Sequence, residues 1–409
     1  MEVKKGYKHT EVGVIPEDWE ILQLEAIVNS QRPICYGIVQ TGRSVSNGIR
    51  CVRVVDISGG RVNTTNLITT SKEISATYKR TILAKGDLVI ALRGKIGELA
   101  VIDEELVGAN LTRGVALIAP INKHDSGYLC FALSSPQGKY IFEKNLNGSA
   151  LQEIPIATLR KIPVALPPLS EQRAIAETLG DVDALIGSLE KLIAKKRALK
   201  QAAMQELLTG KKRLPGFSGE WEVKRLGEIA KPRTQRIDPR REGDQEFCIE
   251  LENIEQNTGL LNGSNSAGSS SSIKSIFHSG DVLFGKLRAY LRKYWLANRN
   301  GVCSTEIWVL VTDTRLVIPE FLFQIVQTDK FIDVASTAYG THMPRSDWNL
   351  VKNLRLELPA TQEQSAIATV LSDMNAEIEA LEKRLEKTRM LKQGMMQELL
   401  SGRTRLINN

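Results

Sequence analysis

Several features that would assign this chain of 409 residues to a common functional class are missing. Its five cysteines (Cys35, Cys51, Cys130, Cys248 and Cys303) are scattered singly, which argues against a disulfide framework and a zinc site. No long apolar run without charges occurs, and the N-terminus lacks the apolar stretch of a signal peptide. The sequence therefore predicts a cytoplasmic protein with reduced thiols and no membrane contact.

Catalytic motifs are also missing. No Gly-x-x-x-x-Gly-Lys-Ser/Thr, His-Glu-x-x-His or Gly-x-Ser-x-Gly pattern occurs, and the four histidines are far apart. The segment LPPL at 166–169 lacks the polar first residue and aromatic last residue with which amino-methyltransferases grip a base. Gly94-Lys95-Ile96-Gly97 lacks the context of a dinucleotide site and predicts a β-turn. We therefore expect no catalytic residue, no metal ligand and no cofactor in this chain.

An internal repeat dominates what is present. Residues 166–214 and 358–406 align without a gap at an offset of 192 and share 27 of 49 positions, far above chance. Weaker matches extend the repeat to Trp19 and Trp221, and to the Gly-Asp pairs at 86–87 and 280–281. The similarity fades between these points. The chain is thus predicted to hold two copies of one framework around two unlike middles.

The best-conserved part of each copy predicts a long helix. Prolines precede it, Ser170 or Thr361 is a possible N-cap, about 40 residues without proline follow, and Gly210 and Gly402 mark its end. Each helix would be about 60 Å long. One apolar stripe per helix indicates that the two helices pack together, parallel or antiparallel. The alternative is that each helix packs only on its own domain. The predicted packing residues are Val182, Leu185, Leu189, Leu192 and Leu199 in the first helix, and Met374, Ile378, Leu381, Leu385 and Met395 in the second.

The remaining segments indicate an α+β fold. Strands are predicted at 49–55, 87–92, 114–119, 282–285 and 307–311, short helices at 128–133 and 320–328, and a flexible loop at 263–272. The domain boundaries that follow are 1–165 and 211–357 for two globular domains, with long helices at 166–210 and 358–409. Because the C-terminus stops where a third copy would begin, we expect the two termini to lie close together.

Basic segments supply the candidate DNA contacts. Residues 282–305 contain no acid, and their cations interleave with aromatic residues, as a phosphate-contacting face would require. Two Gly-Ser/Thr loops carry side chains able to read base edges. A solvated basic face and an ordinary turn remain alternatives for these segments. The candidates are Lys85, Arg93, Lys95, Arg113 and Gln152 in the first unit, and Lys286, Arg288, Arg292, Lys293, His342 and Arg345 in the second.

Over its full length the chain resembles the specificity subunits of type I restriction–modification enzymes. The resemblance rests on the repeated segments PPLSEQRAIA and PATQEQSAIA, on the exit motif LKQ…MQELL-Ser/Thr-Gly, and on RLPGFSGEWE. It implies two target-recognition domains that each read one half of a split DNA sequence, and two helices that pack as an antiparallel coiled coil in a circular arrangement.

The resemblance also implies partners. The helices would dock two modification subunits, which carry S-adenosylmethionine and methylate adenine, and restriction subunits would add ATP- and magnesium-dependent cleavage. The isolated chain could self-associate through its exposed helix stripe. Two alternatives stay open: a coiled-coil scaffold that binds only protein, and a methyltransferase or nuclease with a cryptic active site.

Overall fold

The chain folds into two compact units, and each long helix contributes residues to both of them. The computed structural model describes residues 5–146, 152–268, 272–337 and 343–407. Unit 1 comprises residues 1–189 and 384–409, and unit 2 comprises residues 190–383. Each unit therefore contains one globular domain, part of its own long helix and part of the other. No helix within the described ranges is long and apolar enough to cross a membrane.

Unit 1 is a mixture of short strands and short helices that ends in the first long helix. Its strands are β1 (Tyr7–Thr10), β2 (Gly13–Pro16), β3 (Glu20–Gln23), β4 (Cys35–Tyr36), β5 (Ile49–Val52), β6 (Ile57–Ser58), β7 (Arg61–Val62), β8 (Ile68–Thr70), β9 (Leu88–Ala91), β10 (Leu99–Val101), β11 (Asn110–Leu111), β12 (Val115–Ile118) and β13 (Pro163–Leu166). Its helices are α1 (Leu24–Ile27), α2 (Lys72–Thr77), α3 (Ser126–Ser134), α4 (Pro136–Lys144), α5 (Ile156–Arg160) and α6 (Leu169–Leu207), the last of which continues into unit 2.

Unit 2 repeats this plan. Its strands are β14 (Glu222–Arg225), β15 (Ala230–Pro232), β16 (Arg236–Ile237), β17 (Gln245–Ile249), β18 (Asn265–Ala267), β19 (Lys274–Phe277), β20 (Val282–Gly285), β21 (Tyr294–Leu296), β22 (Gly301–Ser304), β23 (Ile307–Thr312) and β24 (Arg355–Leu358). Its helices are α7 (Leu226–Ile229), α8 (Pro239–Glu242), α9 (Pro319–Ile325), α10 (Asp329–Ser336), α11 (Trp348–Val351) and α12 (Thr361–Leu399), which continues into unit 1.

The central sheet of each unit is buried on both faces. Its strand order is β10-β9-β12-β4 in unit 1 and β15-β23-β20-β21 in unit 2. In β9, Leu88 and Ile90 join the cluster that includes α3, whereas Val89 joins a second cluster with Val52. In β20, Leu283 likewise faces away from its neighbours on the strand. Since successive side chains of a strand point to opposite faces, this double burial explains why both strands are continuous apolar runs.

These elements confirm the predicted α+β class. Strand β20 has the predicted bounds, and β5, β9, β12 and β23 lie within one to three residues of theirs. Helices α3 and α9 also form where they were predicted. The loop predicted at 263–272 is partly wrong, because β18 lies within it and pairs with β17. Residues 269–271 of that loop lie outside the described residues.

The Gly-Asp pairs of the repeat are a structural clamp. Asp87 and Asp281 are 4% and 5% exposed, and each accepts hydrogen bonds from an arginine earlier in its unit. Arg32 reaches Asp87 at 2.6 Å, and Arg233 reaches Asp281 at 2.8 Å. The preceding glycines have φ values of 83° and 90°, which a residue with a Cβ adopts only at a cost. A buried carboxylate needs this pairing, so the motif serves the fold rather than chemistry.

The Glu-Gln pairs have a similar role at the start of each long helix. Gln172 donates to the Pro167 carbonyl at 2.8 Å, and Gln364 donates to the Pro359 carbonyl at 2.9 Å. These buried amides fasten the first turn to the strand before it. Because the helices begin at Leu169 and Thr361, Ser170 and Thr361 lie within the first turn, and their prediction as N-caps was wrong.

The two long helices are each 39 residues long and run antiparallel in both units. In unit 1, Asp183 of α6 meets Lys392 of α12 at 2.6 Å. In unit 2, Lys196 of α6 meets Glu377 at 2.6 Å, and Lys200, further along α6, meets Asn375, which is earlier in α12. A contact that advances along one helix while it retreats along the other identifies the antiparallel arrangement.

The predicted packing stripe is correct in phase for α12 but not throughout α6. Ile378 is buried, and Met374, Leu381, Leu385 and Met395 are half-buried. In α6, Leu189 is buried and Val182 is half-buried, but Leu185, Leu192 and Leu199 are 39%, 38% and 48% exposed, which corrects the prediction for these three. The buried stripe instead contains Ile175, Leu179, Ile193, Met204 and Leu207. The half-buried Lys196 and Lys200 lie on the same side of the helix, where their charges interrupt the hydrophobic pattern.

Within the described residues, the N-terminal and C-terminal segments of unit 1 contact each other, in agreement with the expectation that the termini lie close together. The Tyr7 hydroxyl donates to the Gly402 carbonyl at 3.0 Å. Arg405 bonds Asp18 at 2.7 Å and the buried carboxylate of Glu171 at 2.6 Å. In unit 2 the equivalent arginine, Arg213, bonds Glu363 at 2.6 Å, although there the chain continues without a break. A non-covalent contact in unit 1 thus occupies the place of a covalent connection in unit 2.

Candidate nucleic-acid interface

In each unit, the basic turn of the central sheet and the segment that follows the Gly-Ser/Thr pair meet at one end of the sheet. In unit 1, the Ile154 amide donates to the Leu92 carbonyl at 3.0 Å. This bond joins the segment after Gly148-Ser149 to the turn after β9. In unit 2, the Arg288 amide donates to the Pro344 carbonyl and the Ser346 amide to the Lys286 carbonyl, both at 2.8 Å. In each unit, the basic turn and the described residues that follow the Gly-Ser/Thr pair therefore form a single surface.

In unit 1 this surface gathers four of the five predicted residues. Arg93 and Lys95 lie in the turn between β9 and β10, Arg113 lies two residues before β12, and Gln152 follows the Gly148-Ser149 segment; all four are exposed. Lys85 lies at the opposite end of β9 and pairs with Glu104 at 3.1 Å. Lys85 is thus separated from the other candidates by the length of the strand.

In unit 2 several predicted cations make contacts within the unit. The Arg292 guanidinium binds the Asp329 carboxylate and the Gln327 carbonyl, and Lys293 donates to the Leu251 carbonyl at 2.5 Å. Arg345 pairs with Glu306 at 2.9 Å, which raises the pKa of its guanidinium. These contacts hold the turn in place.

The side chains that face outward from this surface are Arg288, which is exposed, and Lys286, which is half-buried. His342 lies outside the described residues. Arg288 and Lys286 remain the predicted cations of unit 2 for which the geometry leaves most room to meet a ligand.

Sequence reasoning did not select three exposed apolar side chains at the same surface. Tyr290 is 55% exposed in the turn after β20. Met343, which precedes the residue that binds the Arg288 amide, is 52% exposed. In unit 1, Val55 is 66% exposed and follows Val54, which packs near Gly94. A pattern of apolar residues predicts burial, so nothing in the sequence alone separated these residues from the core.

The cysteine thiols, all within the described residues, are not activated as nucleophiles. Burial raises the pKa of the Cys51, Cys130 and Cys248 thiols to about 11, which makes them poor nucleophiles at neutral pH. Within residues 5–146, 152–268, 272–337 and 343–407, no group of three or more His, Cys, Asp or Glu side chains could hold a metal ion.

A family model described as the type I restriction modification DNA specificity domain matches residues 16–197 and 218–388. The chain belongs to this family. Each match covers one copy of the repeat, including the site at the end of its central sheet. The family membership thus agrees with the resemblance found in the sequence.

Curated relatives within the specificity-domain family match only part of their own length. The type I restriction enzyme EcoBI specificity subunit of Escherichia coli is 35% identical over 181 residues, which are 44% of this chain and 38% of that protein. The MjaVIII specificity subunit of Methanocaldococcus jannaschii is 30% identical over 221 residues, 52% of this chain and 51% of that protein. The chain therefore spans about half the length of these relatives or less.

Solved structures agree with the fold over nearly the whole chain. The S subunit of a type I restriction-modification system from M. genitalium has a TM-score of 0.57 and 14% identity, and the likeness covers 98% of both chains. A second solved chain comes from a structure on complex assembly and conformational transition of the type I R-M system. It has a TM-score of 0.54 and 16% identity, and the likeness covers 95% of this chain and 99% of that one. At this identity the likeness shows a shared fold.

The long helices of this specificity-domain protein also carry a second candidate surface. Leu391 and Met390 in unit 1 are 59% and 65% exposed, and Leu199, which occupies the repeat position of Leu391, is 48% exposed in unit 2. A leucine exposed at the same position of both copies is not required by the packing of either unit. Such a position suits a contact with protein.

Proposed function

We propose that this chain is the non-catalytic DNA-specificity subunit of a type I restriction–modification system. Its two globular domains each read one half of a bipartite target in double-stranded DNA. The observation that carries the proposal is the duplicated site: one basic turn joined to one loop at the end of each central sheet, on the same framework but with different side chains. Two unlike readers on one framework are what a split, asymmetric target requires.

The long helices supply the protein-docking part of this function. Exposed leucines recur at equivalent positions of the repeat, and a repeated surface fits two copies of one partner. That partner is a modification subunit that binds S-adenosylmethionine and methylates adenine. Restriction subunits, with ATP and magnesium, complete the system. The chain itself contributes recognition and no chemistry, and the same leucines would allow the isolated chain to self-associate when its partners are absent.

The decisive experiment expresses the chain with its modification subunit in a host without other adenine methylation, followed by methylome sequencing. We expect one methylated motif in two parts, with a fixed non-specific spacer; half-sites one helical turn apart are separated by about 34 Å. The purified chain alone, given S-adenosylmethionine, should methylate nothing. An undivided motif would contradict the two-reader model, and methylation by the chain alone would favour a cryptic methyltransferase.

A further inference from the structure

The turns that connect the central hairpins in the two units both contain two left-handed residues, although the turns differ in length and in sequence. In unit 1, Leu99 of β10 pairs with Ile90 of β9, and in unit 2, Tyr294 of β21 pairs with Phe284 of β20. Counting forward from β9 and β20 places Gly94 opposite Arg288. Counting back from β10 and β21 places Gly97 opposite Arg292. The turn in unit 2 is one residue longer.

All four of these residues have left-handed backbone conformations. Gly94 and Gly97 have φ values of 72° and 79°, whereas Arg288 and Arg292 have φ values of 55° and 50°. Glycine adopts this conformation at no steric cost, but a residue with a Cβ does not. Unit 2 therefore accepts backbone strain at two positions where unit 1 avoids it. Strain of this kind persists where the side chain or the site requires it.

For Arg292 the structure supplies a reason within the unit. Its guanidinium binds the Asp329 carboxylate and the Gln327 carbonyl, so it braces the turn against α10. Arg288 has a different situation. Its backbone amide is fixed by the Pro344 carbonyl at 2.8 Å, a bond that glycine would make equally well, and its side chain is exposed. The arginine side chain is thus not needed to hold the turn.

The braced turn presents a defined set of groups to the outside. Ala289 is 4% exposed and points into the core, whereas the next residue, Tyr290, is 55% exposed. Met343 lies on the loop that fixes Arg288 and is 52% exposed. Glu306, whose backbone carbonyl accepts from the Lys286 amide at 2.9 Å, has its carboxylate paired with Arg345 at 2.9 Å. A cation and an aromatic ring on a braced turn, next to a carboxylate that is already paired, match the groups that enter a DNA groove.

We propose that Arg288 and Tyr290 are specificity-determining residues of the second recognition domain and contact base edges in one half of the target. This inference rests on the proposed function. The first domain has glycine at the position of Arg288, so it must read its half-site with other residues. Arginine pairs best with guanine through O6 and N7, so a guanine is the base that we expect opposite Arg288.

The test compares full-length variants, each expressed together with the modification subunit. A plasmid library of random sequence is the DNA substrate, and sequencing maps the methylated motifs. For Arg288→Gly and Tyr290→Ala we expect discrimination to fall roughly 5- to 100-fold at one or two positions of one half-site, with the other half unchanged. Tyr290→Phe separates the hydroxyl from the ring. Arg315→Ala is the matched control, because Arg315 is exposed beyond the opposite end of β23, where it pairs with Asp313 at 2.7 Å.

A second readout guards against loss of folding. Because glycine relieves the left-handed strain, the melting temperature of Arg288→Gly should not fall below that of the wild type. A purely structural role for Arg288 predicts the opposite. An unchanged motif, or a uniform loss of methylation at all sites with the motif preserved, would overturn the inference, since the latter result indicates a phosphate contact. An undivided wild-type motif would instead overturn the proposed function, and this inference with it.

Discussion

The substitution Asn375→Asp should stabilise unit 2, because it supplies a carboxylate that the repeat has in one copy and lacks in the other. Lys392 and Lys200 occupy the same repeat position. Lys392 meets the Asp183 carboxylate at 2.6 Å, whereas Lys200 meets the neutral amide oxygen of Asn375 at 2.6 Å. Lys200 is thus a half-buried cation that lacks the carboxylate partner of its counterpart.

The size of the effect follows from the pKa of Lys200. Burial lowers this pKa from 10.5 to about 8, and Glu379 offsets only part of the shift. A change of this size corresponds to about 3 kcal/mol against the charged form. The new carboxylate must itself lose water, which cancels part of the gain. We expect a net stabilisation of about 1–2 kcal/mol at pH 7, or roughly 3–6 °C in melting temperature for a unit of this size.

The assay is urea denaturation at a series of pH values, followed by tryptophan fluorescence. Four of the five tryptophans (Trp221, Trp295, Trp308 and Trp348) belong to unit 2, so the signal reports mainly on that unit. In the wild type, the folded-state pKa of Lys200 lies below the unfolded value. The unfolded chain therefore binds the extra proton between pH 8 and 10.5, and stability rises with pH across this window. In the variant the rise should be smaller, because Lys200 stays protonated.

Two further variants make the result interpretable. Lys200→Met removes the buried charge and should also abolish this part of the pH dependence. Asp183→Asn creates the Lys200 situation in unit 1 and should lower stability by about 1–2 kcal/mol, measured by calorimetry. If Asn375→Asp is less stable than the wild type at pH 7, or if its pH dependence between 8 and 10.5 is unchanged, the assignment of Lys200 as an uncompensated cation is wrong.

Three further predictions concern the closure of unit 1 and the helix surface. Gly402→Ala should cost several kcal/mol in thermal unfolding, because a Cβ there would lie 2.4 Å from Pro16 at a φ of 66°, whereas Gly394→Ala, with open space around its Cβ, should be neutral or stabilising by about 1 kcal/mol. Arg405→Ala should lower the free energy of unfolding by about 2–4 kcal/mol at pH 7, since it leaves the buried Glu171 carboxylate unpaired; a loss below 0.5 kcal/mol would mean that the contact is not stabilising. Leu391→Asp should leave the melting temperature within about 1 °C but weaken co-purification with the modification subunit, and equal co-purification would remove this leucine from the docking surface.

The repeat was the part of the molecule most accessible from the sequence. Its identities predicted two frameworks, two long helices and termini that meet, because residues such as Glu171, Gln172 and Asp87 are repeated for contacts that both units must make. The phase of the α6 stripe was missed because Lys196 and Lys200 lie on the buried side, where each finds a polar partner on α12. A hydrophobicity pattern does not recognise a lysine that is half-buried because it is paired.

What the sequence determined by itself was the family, the α+β class and the two-copy plan, since local propensity and repetition are written into the order of residues. Only the tertiary structure decided which cations remain outward. Arg288, Arg292 and Lys293 are neighbours in one acid-free segment, yet Arg292 and Lys293 turn inward to Asp329 and Leu251 while Arg288 stays exposed. The physical reason is that a side chain's role depends on partners brought from distant parts of the chain, and those partners are assembled only by folding.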